Sequence, residues 1–168
     1  MTKQIYQERS YFTDSVEQTY AFGERLGEIL QANDVIALLG DLGAGKTTLT
    51  HGIAKGLKIK TPISSPTFTL LFEHTKSERN IPLYHFDAYR LTDENEWYDA
   101  GFMDYLDNNG VSIIEWADRI KTVLPARTIW LSLKSDLNNL DWREFQLNVP
   151  EQRDFAWQAL ENWKNKKY

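Results

Sequence analysis

The 168-residue chain reads as a single α/β domain spanning residues 1–168. The expected architecture is a mostly parallel central sheet flanked by helices, with a C-terminal β-hairpin and a closing helix. Three observations predict it. "DVIALLG" is a continuous β-branched and apolar run ending in glycine, the pattern of a strand covered on both faces. It feeds "GAGKTTLTHGIAKGL", in which Leu49, Ile53 and Leu57 recur every fourth residue, as they do on one face of a helix. Far downstream, "GVSIIEW" is a second strand of the same buried type and ends on a carboxylate.

Composition bounds the function classes. A chain of this length buries roughly two-thirds of the surface that its unfolded form exposes, which suits one core. A hydrophobic fraction of 42% with 26% charged residues is ordinary for a globular protein. No apolar stretch approaches the ~20 residues of a membrane span, so no membrane partner is expected. The segment "MTKQIYQERSYFTDS" lacks the apolar core of a secretory signal and the chain has no cysteine, so a cytoplasmic location is expected. A net charge of −5 argues against a broad basic surface for nucleic acid. Any RNA is expected to be held by a partner.

The remaining elements follow in order. "TDSVEQTYAFGERLGEIL" predicts a helix of about four turns with Val16, Tyr20, Gly27 and Leu30 near one face, Thr13 or Asp14 as N-cap and Asn33 as its stop. "TPISSPTFTLLFEH" and "NIPLYHFDAYRL" predict two strands joined by a polar turn, "TKSERN". "ENEWYDAGFMDYLDNN" predicts a short helical stretch whose Trp97, Tyr98, Phe102 and Tyr105 suit core packing, with a docking face as the alternative. "RTIWLSL" and "REFQLNV" flank "KSDLNNLDW" as a late hairpin, and "EQRDFAWQALENWKNKKY" predicts the closing helix. No internal repeat, low-complexity tract or dividing linker is present.

The chemistry concentrates in "GDLGAGKT". It matches G-x-x-x-x-G-K-[ST], with Gly40, Gly45, Lys46 and Thr47 at the diagnostic positions, a strand before it and a helix after it. Glycines let consecutive N–H groups turn inward around a phosphate chain, and the helix adds roughly half a positive charge at its N-terminus. Lys46 is expected to reach the β- and γ-phosphate oxygens and the Thr47 hydroxyl to ligate Mg²⁺. The expected nucleotide-contacting set is therefore Asp41, Leu42, Gly43, Ala44, Gly45, Lys46, Thr47 and Thr48. A plain glycine-rich turn with an exposed lysine does not require Lys-Thr at this offset behind a buried strand.

Such a loop also needs an acid at a neighbouring strand end, either for the metal or for the attacking water. Glu115 stands at such an end. An unpaired carboxylate there is costly to bury, so a positive partner is expected; a surface pair with Arg119 is the alternative. Trp116 suits either a place beside the nucleotide or a place in the core. "SSPTF", Ser64 to Phe68, suits a segment ordered by a γ-phosphate or a simple hydroxyl-capped turn. In "HFDAYRL", Asp87 and Arg90 are candidates for positioning water and neutralising charge, or for a surface ion pair.

Four segments in this order, "GDLGAGKTT", "SSPTFTL", "YHFDAYRL" and "IIEWADRI", resemble the bacterial TsaE (YjeE) family of P-loop ATPases, which takes part in making the threonylcarbamoyladenosine modification of tRNA. The resemblance covers roughly Thr13 to Ile120. It implies a P-loop NTPase fold with the loop at one end of the sheet, ATP bound with Mg²⁺, Thr47 and Glu115 at the metal, and functional roles for Thr67 and Asp87. With Lys46, these make Asp87 and Glu115 the expected catalytic residues. It also implies an adenine site near Thr13, where a simple helix cap is the alternative. Its companion proteins are TsaD and TsaB, which transfer the threonylcarbamoyl group to adenosine 37 of tRNA. ATP hydrolysis would reset that complex, with tRNA met indirectly. Segments after Ile120 are expected to be scaffold.

Other activities fit less well. A small-molecule kinase commonly needs an arginine-rich lid, whereas the arginines here are scattered. A GTP switch would carry Asn-Lys-x-Asp, but the "NKK" at Asn165–Lys167 is followed by Tyr168. An intact Lys46, Thr47 and Glu115 count against a non-catalytic scaffold.

Overall fold

The two buried-type runs become neighbouring central strands. In the computed structural model, which describes residues 3–41, 43–64, 66 and 69–164, β2 (Val35–Leu39) pairs in parallel with β5 (Val111–Glu115), with Leu38 opposite Glu115. β4 (Leu83–Asp87) lies parallel on the far side of β5, and β6 (Ile129–Asp136) lies parallel on the far side of β2. β3 (Leu71–His74) closes one edge; β7 (Asn139–Pro150) and then β1 (Tyr6–Thr13) close the other. The seven strands run β1-β7-β6-β2-β5-β4-β3.

The expectation of a mostly parallel sheet holds only for the centre. The β1–β7, β7–β6 and β3–β4 pairings are antiparallel, as many as the parallel ones among the described strands. Connection length explains this. β3 to β4 and β6 to β7 are joined by short turns, which admit only antiparallel neighbours, whereas parallel pairs need a long crossover. The late hairpin is present, but it forms part of the sheet rather than an appendage.

Helix α1 (Val16–Ile29) and helix α2 (Lys46–Gly56), with a 3₁₀ segment at Trp157–Trp163, cover one face of the sheet. The expected closing helix is thus a short 3₁₀ stretch. Helix α3 (Glu94–Asp99) and 3₁₀ turns at Phe102–Asp107 and Ala117–Val123 cover the other face. There Trp97 and Phe102 are buried against Phe86, which decides for core packing, while Tyr98 is exposed.

The N-terminus differs from its reading. Residues Tyr6–Thr13 form strand β1, and the cap of α1 is Ser15, whose hydroxyl accepts from the Gln18 N–H at 3.1 Å. Starting the helix there turns Thr19, Phe22, Gly23, Leu26 and Gly27 inward and leaves Val16 exposed. The helix ends at its C-cap Leu30, before Asn33.

Helices α1 and α2 meet in backbone contact. A methyl group on Gly27 would collide with the Ile53 carbonyl oxygen, and one on Gly56 with that of Glu24. One side chain joins their C-terminal ends: Arg79, in the β3–β4 turn, donates from Nη1 to the carbonyls of Gly27 (2.7 Å) and Gly56 (3.3 Å) and from Nη2 to that of Leu30 (3.0 Å). A guanidinium there satisfies carbonyls left over at both helix ends and opposes their negative poles. Alanine exceeds glycine in helix propensity by about 1 kcal/mol. Gly27→Ala is nonetheless expected to destabilise the protein by about 1–3 kcal/mol through overpacking. Urea unfolding checks this, and an unchanged or raised midpoint would contradict the contact.

Candidate functional site

The carboxyl end of β2 opens into the glycine loop, and the loop opens into α2. Within it the Ala44 N–H donates to the Asp41 carbonyl at 3.0 Å. Gly45 is the N-cap of α2 at φ 102°, a left-handed conformation that costs a residue with a Cβ but not glycine. It supplies no side-chain cap, so the helix presents an uncapped, electropositive end.

Lys46, the first residue of α2, is buried. Its Nζ donates to the carbonyls of Gly40 and, at 3.2 Å, Asp41, and lies 4.5 Å from the centre of the Trp116 indole. Carbonyl dipoles and a π-face are what a buried ammonium requires when no carboxylate pairs with it. Thr47 follows, exposed on the first turn. Thr48 is half-buried and, with Val16, Thr19, Gly45, Asp141 and Arg143, lines a cavity of about 20 Å³ beside the loop.

Two acids stand at the ends of the adjacent parallel strands. Asp87, last in β4, is directly opposite Glu115, last in β5, and both are buried. The Asp87 Oδ1 accepts the Tyr89 N–H at 2.8 Å, a local turn that fixes the carboxylate inside the protein rather than at its surface. Glu115 Oε2 lies 3.2 Å from Nε2 of His85, with side chains 9% and 3% exposed. The surface pairing of Glu115 with Arg119 is therefore not formed. Arg119 donates instead to the Leu91 carbonyl at 3.4 Å and lies over the Tyr89 ring.

Trp116 is partly buried at the margin of the core. It packs against the core beneath the sheet while its ring meets Lys46 and, at 5.0 Å, Tyr89. Thr13 ends β1 with its buried hydroxyl 2.8 Å from that of Thr19, so it is not the helix cap. Leu42 and Thr67, with Ser65 and Phe68, lie outside the described residues.

Two residues at the site went unread in the sequence. His85 was legible, since a period of two puts it on the same face as Asp87. Arg143 was not, because the hairpin pattern of its segment says nothing of a contact with a loop 99 positions away. Its Nε donates to the Ala44 carbonyl at 2.7 Å and its Nη2 to that of Gly43 at 3.4 Å. The guanidinium also reaches the carbonyls of Leu140 and Trp142, so the loop is tied to β7.

Among the described residues no group of three or more His, Asp or Glu side chains converges to hold a metal alone. The hydroxyl and carboxylate oxygens of Thr47, Asp87 and Glu115 are instead the hard donors that suit a divalent cation sharing its ligand shell with phosphate and water.

A family profile described as "Threonylcarbamoyl adenosine biosynthesis protein TsaE" matches residues 13–144. The chain belongs to the TsaE family. Similar curated proteins, each called tRNA threonylcarbamoyladenosine biosynthesis protein TsaE, include that of Bacillus subtilis (strain 168), 41% identical over 73% of this chain and 75% of its own. That of Nostoc sp. (strain PCC 7120 / SAG 25.82 / UTEX 2576) is 48% identical over 65% of this chain and 68% of its own. Among solved structures, that of Bacillus subtilis YdiB superposes with a TM-score of 0.75 at 31% identity, covering 96% of this chain and 97% of that one. The TsaE match takes in the loop, both strand-end acids and Arg143. Among the described residues no helix is long and apolar enough to cross a membrane.

Hydrogen bonds from charged groups contribute about 1.5–3 kcal/mol. Arg143→Met is therefore expected to speed hydrogen exchange at the Ala44 amide by about tenfold or more, as read by NMR. Unchanged protection would mean that the guanidinium does not hold the loop.

Proposed function

We propose that this TsaE-family chain binds ATP with Mg²⁺ and hydrolyses it slowly, in support of TsaB and TsaD as they threonylcarbamoylate adenosine 37 of tRNA. One observation carries the reading. A buried ammonium inside a glycine loop, at an uncapped helix end, shares one end of the sheet with two buried carboxylates on adjacent parallel strands. Ligands of open α/β sheets bind at the carboxyl ends of the strands, and helix N-termini bind phosphate.

The roles follow from the donors. The loop amides and Lys46 bind the phosphate chain, with Nζ exchanging the carbonyls of Gly40 and Asp41 for phosphate oxygens. Thr47 and Glu115 would hold Mg²⁺, which neutralises charge on the phosphate oxygens. Asp87 orients the attacking water at the γ-phosphorus. Without an arginine at the transition state such sites are slow, by about 10³–10⁵. Arg119 is engaged by Leu91 and Tyr89, which leaves Arg90 or a partner to supply that charge. The net charge of −5 accords with companions that hold the tRNA.

Lys46→Ala is expected to bind Mg-ATP at least about tenfold more weakly by calorimetry, through loss of charge-assisted bonds to phosphate. Parent-like affinity would sink the phosphate-loop reading. Glu115→Ala is expected to lose turnover while keeping its affinity for nucleotide in EDTA; unchanged turnover would remove its role. Steady-state hydrolysis alone and with TsaB and TsaD tests the coupling: stimulation beyond the summed separate rates supports it, and none with active companions overturns it.

A further inference from the structure

We propose that His85 is the positioning residue for Glu115, holding that carboxylate in the orientation from which it serves the metal. The inference rests on the Mg-ATP reading above. His85 lies in the middle of β4, between β3 and β5, with Phe72 opposite it on one side and Ile113 on the other. Leu83 precedes it on the same face. An apolar side chain would be the ordinary occupant of such a place.

The imidazole there is 3% exposed, and its Nδ1 is buried without a hydrogen-bond partner. Burying a polar nitrogen unsatisfied costs about 1–3 kcal/mol, and a structural role gives no return for it. The other nitrogen supplies the return. Nε2 lies 3.2 Å from Glu115 Oε2, and with the carboxylate ionised, which leaves it only accepting, the tautomer that bonds it is the one carrying the proton on Nε2. That imidazole is the side-chain partner of Glu115 among the described residues. It engages one of the two carboxylate oxygens and fixes the plane of the group, leaving Oε1 for a ligand or its water shell. Residues that orient a metal-associated carboxylate in this way typically change metal affinity about 10–100-fold when removed.

The test titrates Mg²⁺ into the chain with a non-hydrolysable ATP analogue and reads analogue affinity by calorimetry, alongside affinity in EDTA. His85→Leu is expected to raise the Mg²⁺ concentration for half-maximal tightening about tenfold or more and to leave affinity in EDTA unchanged. His85→Gln, which carries an amide donor out to the reach of Nε2, is expected to restore the parent requirement, whereas His85→Asn, whose donor stops at the reach of Nδ1, is not. If His85→Leu does not fold, the Gln and Asn variants decide alone. A Mg²⁺ requirement equal to the parent's in His85→Leu, or equal in Gln and Asn, overturns the proposal while the Mg-ATP reading stands. A parent whose analogue affinity ignores Mg²⁺ overturns both.

Discussion

The parallel register of β2, β5 and β4 is the constraint on which the site depends. Leu38, Glu115 and Asp87 occupy one row across three strands, so the end of the sheet aligns the start of the glycine loop with both acids. A slip of one residue in β5 would turn Glu115 to the opposite face and replace it with Ile114. Core packing forbids that slip. Ile113 is buried beneath α1 and α2, and Ile114 is buried on the side of Trp97 and Phe102. The hydrophobic effect thus sets the chemistry indirectly, by fixing which side chains reach the strand ends on the loop's side.

Charge burial at that row is handled locally. Lys46 rests on backbone carbonyls and an indole, Asp87 on the Tyr89 N–H, and Glu115 on an imidazole. Among the described residues none of the three is tied to a full counter-charge of fixed sign such as Arg. Exchange of carbonyl dipoles for phosphate oxygens costs an ammonium far less than breaking a buried ion pair, which typically costs about 3–5 kcal/mol. Resting contacts of this moderate strength are what the proposed exchange of carbonyls for phosphate at Lys46 requires.

What the sequence made legible was what short-range physics encodes. Unbroken apolar runs announced β2 and β5, and glycine with Lys-Thr at a fixed offset announced the loop between strand and helix. Glu115 was legible as a charge closing a buried strand. The antiparallel edges were not, because pairing partners are set by connection geometry and long-range packing. β1 hid behind a polar stretch that only half buries: of its eight residues, Tyr11 and Thr13 face the core fully. Ser15 was not told apart from Thr13 and Asp14 as cap because three hydroxyl or carboxylate residues in succession offer equal local chemistry, and tertiary packing of Phe22 and Leu26 chose among them. Arg143 reaches Ala44 from 99 positions away along the chain, a contact no local pattern foretells.

Arg79 has a thermodynamic meaning beyond its three hydrogen bonds. Ser77, in the same turn, also bonds the Leu57 carbonyl at 2.6 Å, and Glu78 donates its N–H to Lys58 at 3.1 Å. The β3–β4 turn therefore grips the tail of α2 by backbone and side chain, and through Arg79 it grips the tail of α1. Local opening in proteins proceeds by contiguous cooperative units. Fraying of either helix from its C-terminal end requires the turn to let go first. The surface loop thereby couples the C-terminal ends of the two helices, and α2 is held at its far end by contacts separate from those of the glycine loop.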